Sequence, residues 1–148
     1  MLTAAHCFDK GTTYSYVRIG GTNNNDGEKI DISNFILHPD WDETASDEAY
    51  DLAVIELATC STCSSIVTLN QDVGFPSTAG TAMKLIGFGQ TNADDSNSAS
   101  TVLKEVDLKF VSTSNCQTEF PFVTADRHVC TDGVSASEGS CSGKFLIQ

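Results

Sequence analysis

Basic side chains are scarce in this chain. Eight lysines and arginines face twenty aspartates and glutamates, for a net charge of -12. Nucleic-acid binding needs clustered Lys and Arg over the phosphates, and these eight are scattered, so no nucleic-acid partner is expected. The acidity instead keeps a surface solvated. Long apolar runs are lacking too. Residues 52–55, and 82–83 with 85–86, are strand-sized, and nothing approaches the roughly 20 apolar residues of a membrane span, so no membrane partner is expected. Residues 1–5 have neither the length nor the basic start of a signal peptide. A second CxxC and a paired His are missing around "CSTC" at 60–63, which argues against a zinc site there, and the βαβ context of a redox pair is missing as well. A local disulfide between Cys60 and Cys63 is the preferred reading.

What is present describes a globular domain. The 148 residues, 40% of them apolar and eight of them Phe, can bury a sizeable core. Six cysteines in so small a chain favour a disulfide-bearing, secreted protein. No export signal precedes them, so an incomplete N-terminus is expected. Period-2 patterning dominates: Val102, Val106, Leu108 and Phe110 share a mostly apolar face of one strand, against Glu105, Asp107 and Lys109 on the other. Residues 14–19, 28–37, 51–57 and 82–88 also read as strands, rich in Val, Ile and aromatics. Turn-rich loops lie at 20–27 ("GGTNNNDG"), 91–100 and 132–139. Residues 114–120 read as a short helix capped by Ser114 or Asn115. The class is all-β, an antiparallel barrel or sandwich.

Two stretches carry chemistry. In "LTAAHC" at 2–7, the small Ala4 and Ala5 let a turn carrying His6 pack closely against a neighbour. A histidine acting as general base needs a nucleophile within reach and an acceptor holding its other nitrogen. In "YDLAVIEL" at 50–57, Asp51 opens a mostly apolar strand, and a carboxylate entering a core needs a partner such as a ring N–H. Taken singly, His6 reads more readily as a structural histidine than a catalytic one, and Asp51 as a strand-start or turn residue. His38 and His128 read as structural or surface residues. The acidic run Asp40, Asp42, Glu43, Asp47 and Glu48 lacks the fixed ligand spacing of a calcium loop and reads as solvated, and the "NNNDG" turn reads as a plain hairpin.

Together, "TAAHC" and "DLAVIEL", 45 residues apart between His6 and Asp51, resemble the chymotrypsin-like (trypsin-like) serine protease family. "HPDW" at 38–41, "LIGFG" at 85–89, "SNCQTEF" at 114–120 and "GSCSG" at 139–143 resemble its later landmarks in order, so the resemblance covers nearly the whole chain. It implies a chymotrypsin-like double antiparallel β-barrel over residues 1–148, with a first barrel at about 1–75 and a second from about 80, incomplete at the N- and C-termini. It implies an acyl-transfer endopeptidase needing no metal or organic cofactor, acting on protein or peptide substrates, with a monomeric full-length form. His6 would be general base and Asp51 its orienter. It implies a Cys116–Cys130 disulfide, a partner for Cys7 upstream and one for Cys141 downstream. It also makes Gly139 the residue that sets primary specificity, with no charge to pair with Lys or Arg. The family's Cys-x-Gly-Asp-Ser-Gly-Gly-Pro, counted from Cys141, puts Lys144 at the Asp and Phe145 at the nucleophilic Ser. No nucleophile is therefore expected in this chain, and Ser140 and Ser142 read as loop residues. The other class of function to weigh is a non-catalytic, protease-like binding or inhibitor protein.

Overall fold

The computed structural model describes residues 1–47, 49–62, 65–92 and 94–134, together with the backbone of Phe145–Leu146. Two compact units divide the chain, Met1–Ser65 and Ile66–Gln148. Gly80, just ahead of the second sheet, donates its backbone N–H to the Phe110 carbonyl at 2.9 Å.

The first unit is built on strands β1 (Leu2–Thr3), β2 (Tyr16–Ile19), β3 (Glu28–Leu37) and β4 (Ala53–Leu57), paired antiparallel in the order β1-β4-β3-β2. Strand β3 spans both pairings: Val17 faces Ile30 on one side and Ile55 faces Phe35 on the other. Its inward residues change phase along the strand, from Ile30 and Ile32 to Phe35 and Leu37. A strict period of two would send one of these pairs to solvent. The register against β4 shifts between Ile32 and Asn34, and this bulge keeps both pairs on the core face. Within it, the Ser33 hydroxyl donates to the Glu56 carbonyl at 3.0 Å. The β2–β3 loop depends on Gly27, at φ +87°, where a Cβ would come within 2.5 Å of the Ile19 carbonyl oxygen.

A 3₁₀ helix over Ala5–Gly11 closes this unit's core, which centres on Ala5, Phe8, Ala53 and Ile55. Phe8 anchors the helix: its ring stacks on Phe35 with centroids 4.2 Å apart and meets the edge of Tyr14 at 5.7 Å.

The second unit contains β5 (Ala82–Gly87), β6 (Lys104–Val111), β7 (Cys130–Gly133) and β8 (Phe145–Leu146), antiparallel in the order β7-β6-β5-β8. On β6, Val106 and Leu108 turn inward while Glu105 and Asp107 face solvent and both pair with Lys84. Helix α1 covers Thr113–Cys116, shorter than the expected 114–120, and its cap is Ser112 rather than Ser114 or Asn115. The Ser112 Oγ accepts the Asn115 N–H at 3.3 Å, which starts the helix one residue earlier. The Cys116–Cys130 disulfide joins the end of α1 to β7. Among the described residues every strand pairing is antiparallel, in one four-stranded sheet in each unit, so the all-β expectation holds.

Candidate active site

His6 lies in the first turn of the 3₁₀ helix, between the buried Ala5 and Phe8. That turn begins at Ala4, which has no side chain with which to cap it. Asp51 supplies the missing acceptor from across the unit. Its Oδ1 accepts the His6 backbone N–H at 2.8 Å, and its Oδ2 lies 2.6 Å from the ring Nδ1. One carboxylate thus caps the helix and holds the ring it carries. A carboxylate can only accept, so Nδ1 carries a proton, and in the neutral ring the lone pair is on Nε2. Among the described residues, Nε2 makes no hydrogen bond.

The histidine side chain is 61% exposed and the aspartate 25%. At that exposure solvent screens the pair and its contribution to stability is small. Its significance lies in the tautomer it sets.

Asp51 is placed by what flanks it. Downstream, Ala53 and Ile55 of β4 enter the core, so the strand fixes where its first residues emerge. Upstream, Tyr50 adopts a left-handed backbone, φ +61°. The Leu52 N–H closes back onto the Tyr50 carbonyl at 2.6 Å, turning the chain sharply at Asp51. Nothing in the sequence signals that conformation, which belongs normally to Gly or Asn.

The other predicted residues fall elsewhere. Cys116 and Cys130 are bonded to each other. Cys60 is an exposed free thiol rather than half of the bridge expected within "CSTC", and Cys63 lies outside the described residues. Gly139, Ser140, Cys141, Ser142 and Lys144 lie outside them as well, and of Phe145 only the backbone is described, paired with Gly87. Cys7 is half-buried against the first unit's core. His38 and His128 both have partners: the ring Nδ1 of His38 accepts the Asp40 N–H at 3.1 Å, and that of His128 accepts the Thr124 N–H at 3.2 Å.

Beside the 3₁₀ helix lies an open concavity of about 460 Å³, whose apolar lining is Phe8, Leu37 and Trp41. Its acidic lining residues are engaged locally. Asp9 accepts the Trp41 indole N–H at 2.9 Å, Glu43 accepts the Lys10 N–H at 3.3 Å, and Asp42 accepts both the hydroxyl and the N–H of Thr44. The two Thr44 bonds, the hydroxyl's first, hold the Asp42 carboxyl below the usual carboxylate range. Among the described residues, no three His, Cys, Asp or Glu side chains converge as a metal site would require.

The Trypsin family model matches residues 1–144. Trypsin 5G1 of Aedes aegypti is 31% identical over 151 residues, covering 97% of this chain and 54% of that protein. Brachyurin of Leptuca pugilator is 30% identical over 150 residues, covering 97% and 62%. The chain therefore spans little more than half the length of these curated relatives. Among solved structures, neuropsin, a serine protease expressed in the limbic system of mouse brain, superposes with a TM-score of 0.79 at 23% identity, over 97% of this chain and 64% of that one. That likeness is one of fold. The Vibrio cholerae VesB protease matches with a TM-score of 0.65 at 32% identity, over 79% of this chain and 34% of its own. By its family match, its relatives and its fold, this chain belongs to the trypsin-like serine protease family.

Proposed function

We propose that the chain carries the base and orienter of a secreted serine endopeptidase lineage, and that as written it lacks the nucleophile and does not hydrolyse peptides. The observation that carries the first half is the double engagement of His6 by Asp51, at ring and backbone. In an acyl-transfer cycle, His6 Nε2 removes the serine proton as the oxygen attacks the carbonyl carbon. The proton then passes to the leaving amine, and Asp51 stabilises the intervening imidazolium. Asp51 keeps its own charge throughout and serves by fixing the ring. Water repeats the same steps to release the acyl group.

The second half rests on the sequence after Cys141, where Lys144 and Phe145 occupy the positions of the family's Asp and Ser. Phenylalanine offers no nucleophilic atom, and Ser142 stands three positions early. The Cys116–Cys130 disulfide supports a secreted location, since such bonds persist in oxidising compartments. Protein or peptide substrates follow from the family. The net charge of -12 speaks against nucleic acid as a partner. In a complete enzyme of this lineage, Gly139 favours uncharged residues before the cleaved bond, and much faster cleavage after Arg or Lys would refute that preference.

The second reading is a protease-like binding or inhibitor protein, favoured by the same Phe145. A panel of fluorogenic peptides with aliphatic, aromatic and basic residues before the bond separates the cases. The chain is expected to release no fluorophore. Turnover abolished by His6→Ala would overturn the nucleophile-free reading, whereas inhibition of an added trypsin-like protease would favour the second.

A further inference from the structure

We propose that His38 and Tyr50 are positioning residues for the His6–Asp51 pair, acting through the backbone of Asp51. Their rings stack in parallel, with centroids 4.9 Å apart and planes 15° from coplanar. Each ring is tied to the chain that brackets Asp51. Tyr50 immediately precedes it, at a φ of +61° that an L side chain adopts only when its surroundings hold it there. The His38 backbone N–H donates to the Leu52 carbonyl at 2.8 Å, and the Leu52 N–H donates to the Tyr50 carbonyl at 2.6 Å. His38 is itself oriented, because its ring Nδ1 accepts the Asp40 N–H at 3.1 Å. The stack therefore clamps residues 50 and 52 around the turn, and Asp51 leaves that turn pointing at His6.

Without the clamp, Tyr50 would relax toward a negative φ. Rotation there redirects the Asp51 carboxylate, and at 2.6 and 2.8 Å neither bond to His6 tolerates much displacement. The loss should fall on the orientation of Asp51 while the Phe8–Phe35 core remains.

The functional meaning of this role rests on reading His6 and Asp51 as base and orienter, but its test does not depend on peptide hydrolysis. The His6 Nδ1–H proton is observed by NMR in ¹⁵N-histidine-labelled chain, with the Trp41 indole N–H, bonded to Asp9, as the control for the fold. Four variants are compared: Tyr50→Gly, which keeps the left-handed backbone available without the ring; Tyr50→Phe, which keeps the ring; His38→Ala; and His38→Phe, which restores a stacking surface. Wild type and Tyr50→Phe should show a downfield, exchange-protected Nδ1–H. Tyr50→Gly and His38→Ala should lose that signal while the Trp41 resonance stays in place, and His38→Phe should recover it at least in part. Retention of the Nδ1–H in both Tyr50→Gly and His38→Ala overturns the proposal. So does loss of the Trp41 resonance together with it in both, which would make the stack a general support of the fold. A wild-type chain with no protected Nδ1–H overturns it too. A failed peptide-hydrolysis assay would leave each of these results standing.

Discussion

Asp51 answers to two donors of one residue, and both of its bonds are to His6. The sequence made this pair legible only as a motif. "TAAHC" and "DLAVIEL" name the residues, but neither stretch shows that the aspartate also caps the turn the histidine stands on, or that Tyr50 must enter the left-handed region to aim it. Those features arise from contacts between distant segments, which local propensity does not encode. Asp42 offers a separate residue-scale prediction. Thr44 lowers its pKa on folding, and a carboxyl lowered in this way adds stability above its unfolded pKa that is lost as pH falls through the folded value. Asp42 is exposed, so screening keeps the effect small. Thr44→Val should lower the urea midpoint slightly at neutral pH, and the difference should vanish once acid protonates Asp42 in both states. A difference unchanged across that range would contradict the assignment.

At the scale of elements, the extent of strand β3 was legible, because residues rich in Ile, Phe and Leu follow a turn-rich loop. Its bulge is recorded in the same letters, as the change of phase between Ile32 and Phe35. The 3₁₀ helix over Ala5–Gly11 was not read as a helix. It lacks a side-chain cap, and Asp9 and Lys10 depart from helical backbone angles, so little local preference marks it. Phe8 holds it by packing. Phe8→Ala should therefore cost about 3–5 kcal/mol in urea unfolding, as large-to-small changes at buried aromatics do. It should also release His6 from Asp51. A cost under about 1 kcal/mol would show that the helix is anchored otherwise.

On the scale of the whole molecule, two units with separate sheets invite separate tests. The Cys116–Cys130 bond closes a loop with a sequence separation of 14 within the second unit. In the chain-entropy account such a closure is worth about 3 kcal/mol. The Cys116→Ser, Cys130→Ser double variant should lower the melting transition of the second unit while amides of β3 and β4 keep their hydrogen-exchange protection. Equal loss of protection in both sheets would show that the two unfold as one. The all-β class and the family were legible at this scale because several landmarks recur in order along the chain. We propose that His6 and Asp51 are the base and its orienter in a chain without the nucleophile. Incubating the purified, folded chain with a fluorophosphonate and measuring its intact mass tests this most directly. No adduct is expected. An adduct on Ser140, Ser142 or another serine, lost in His6→Ala, would contradict it.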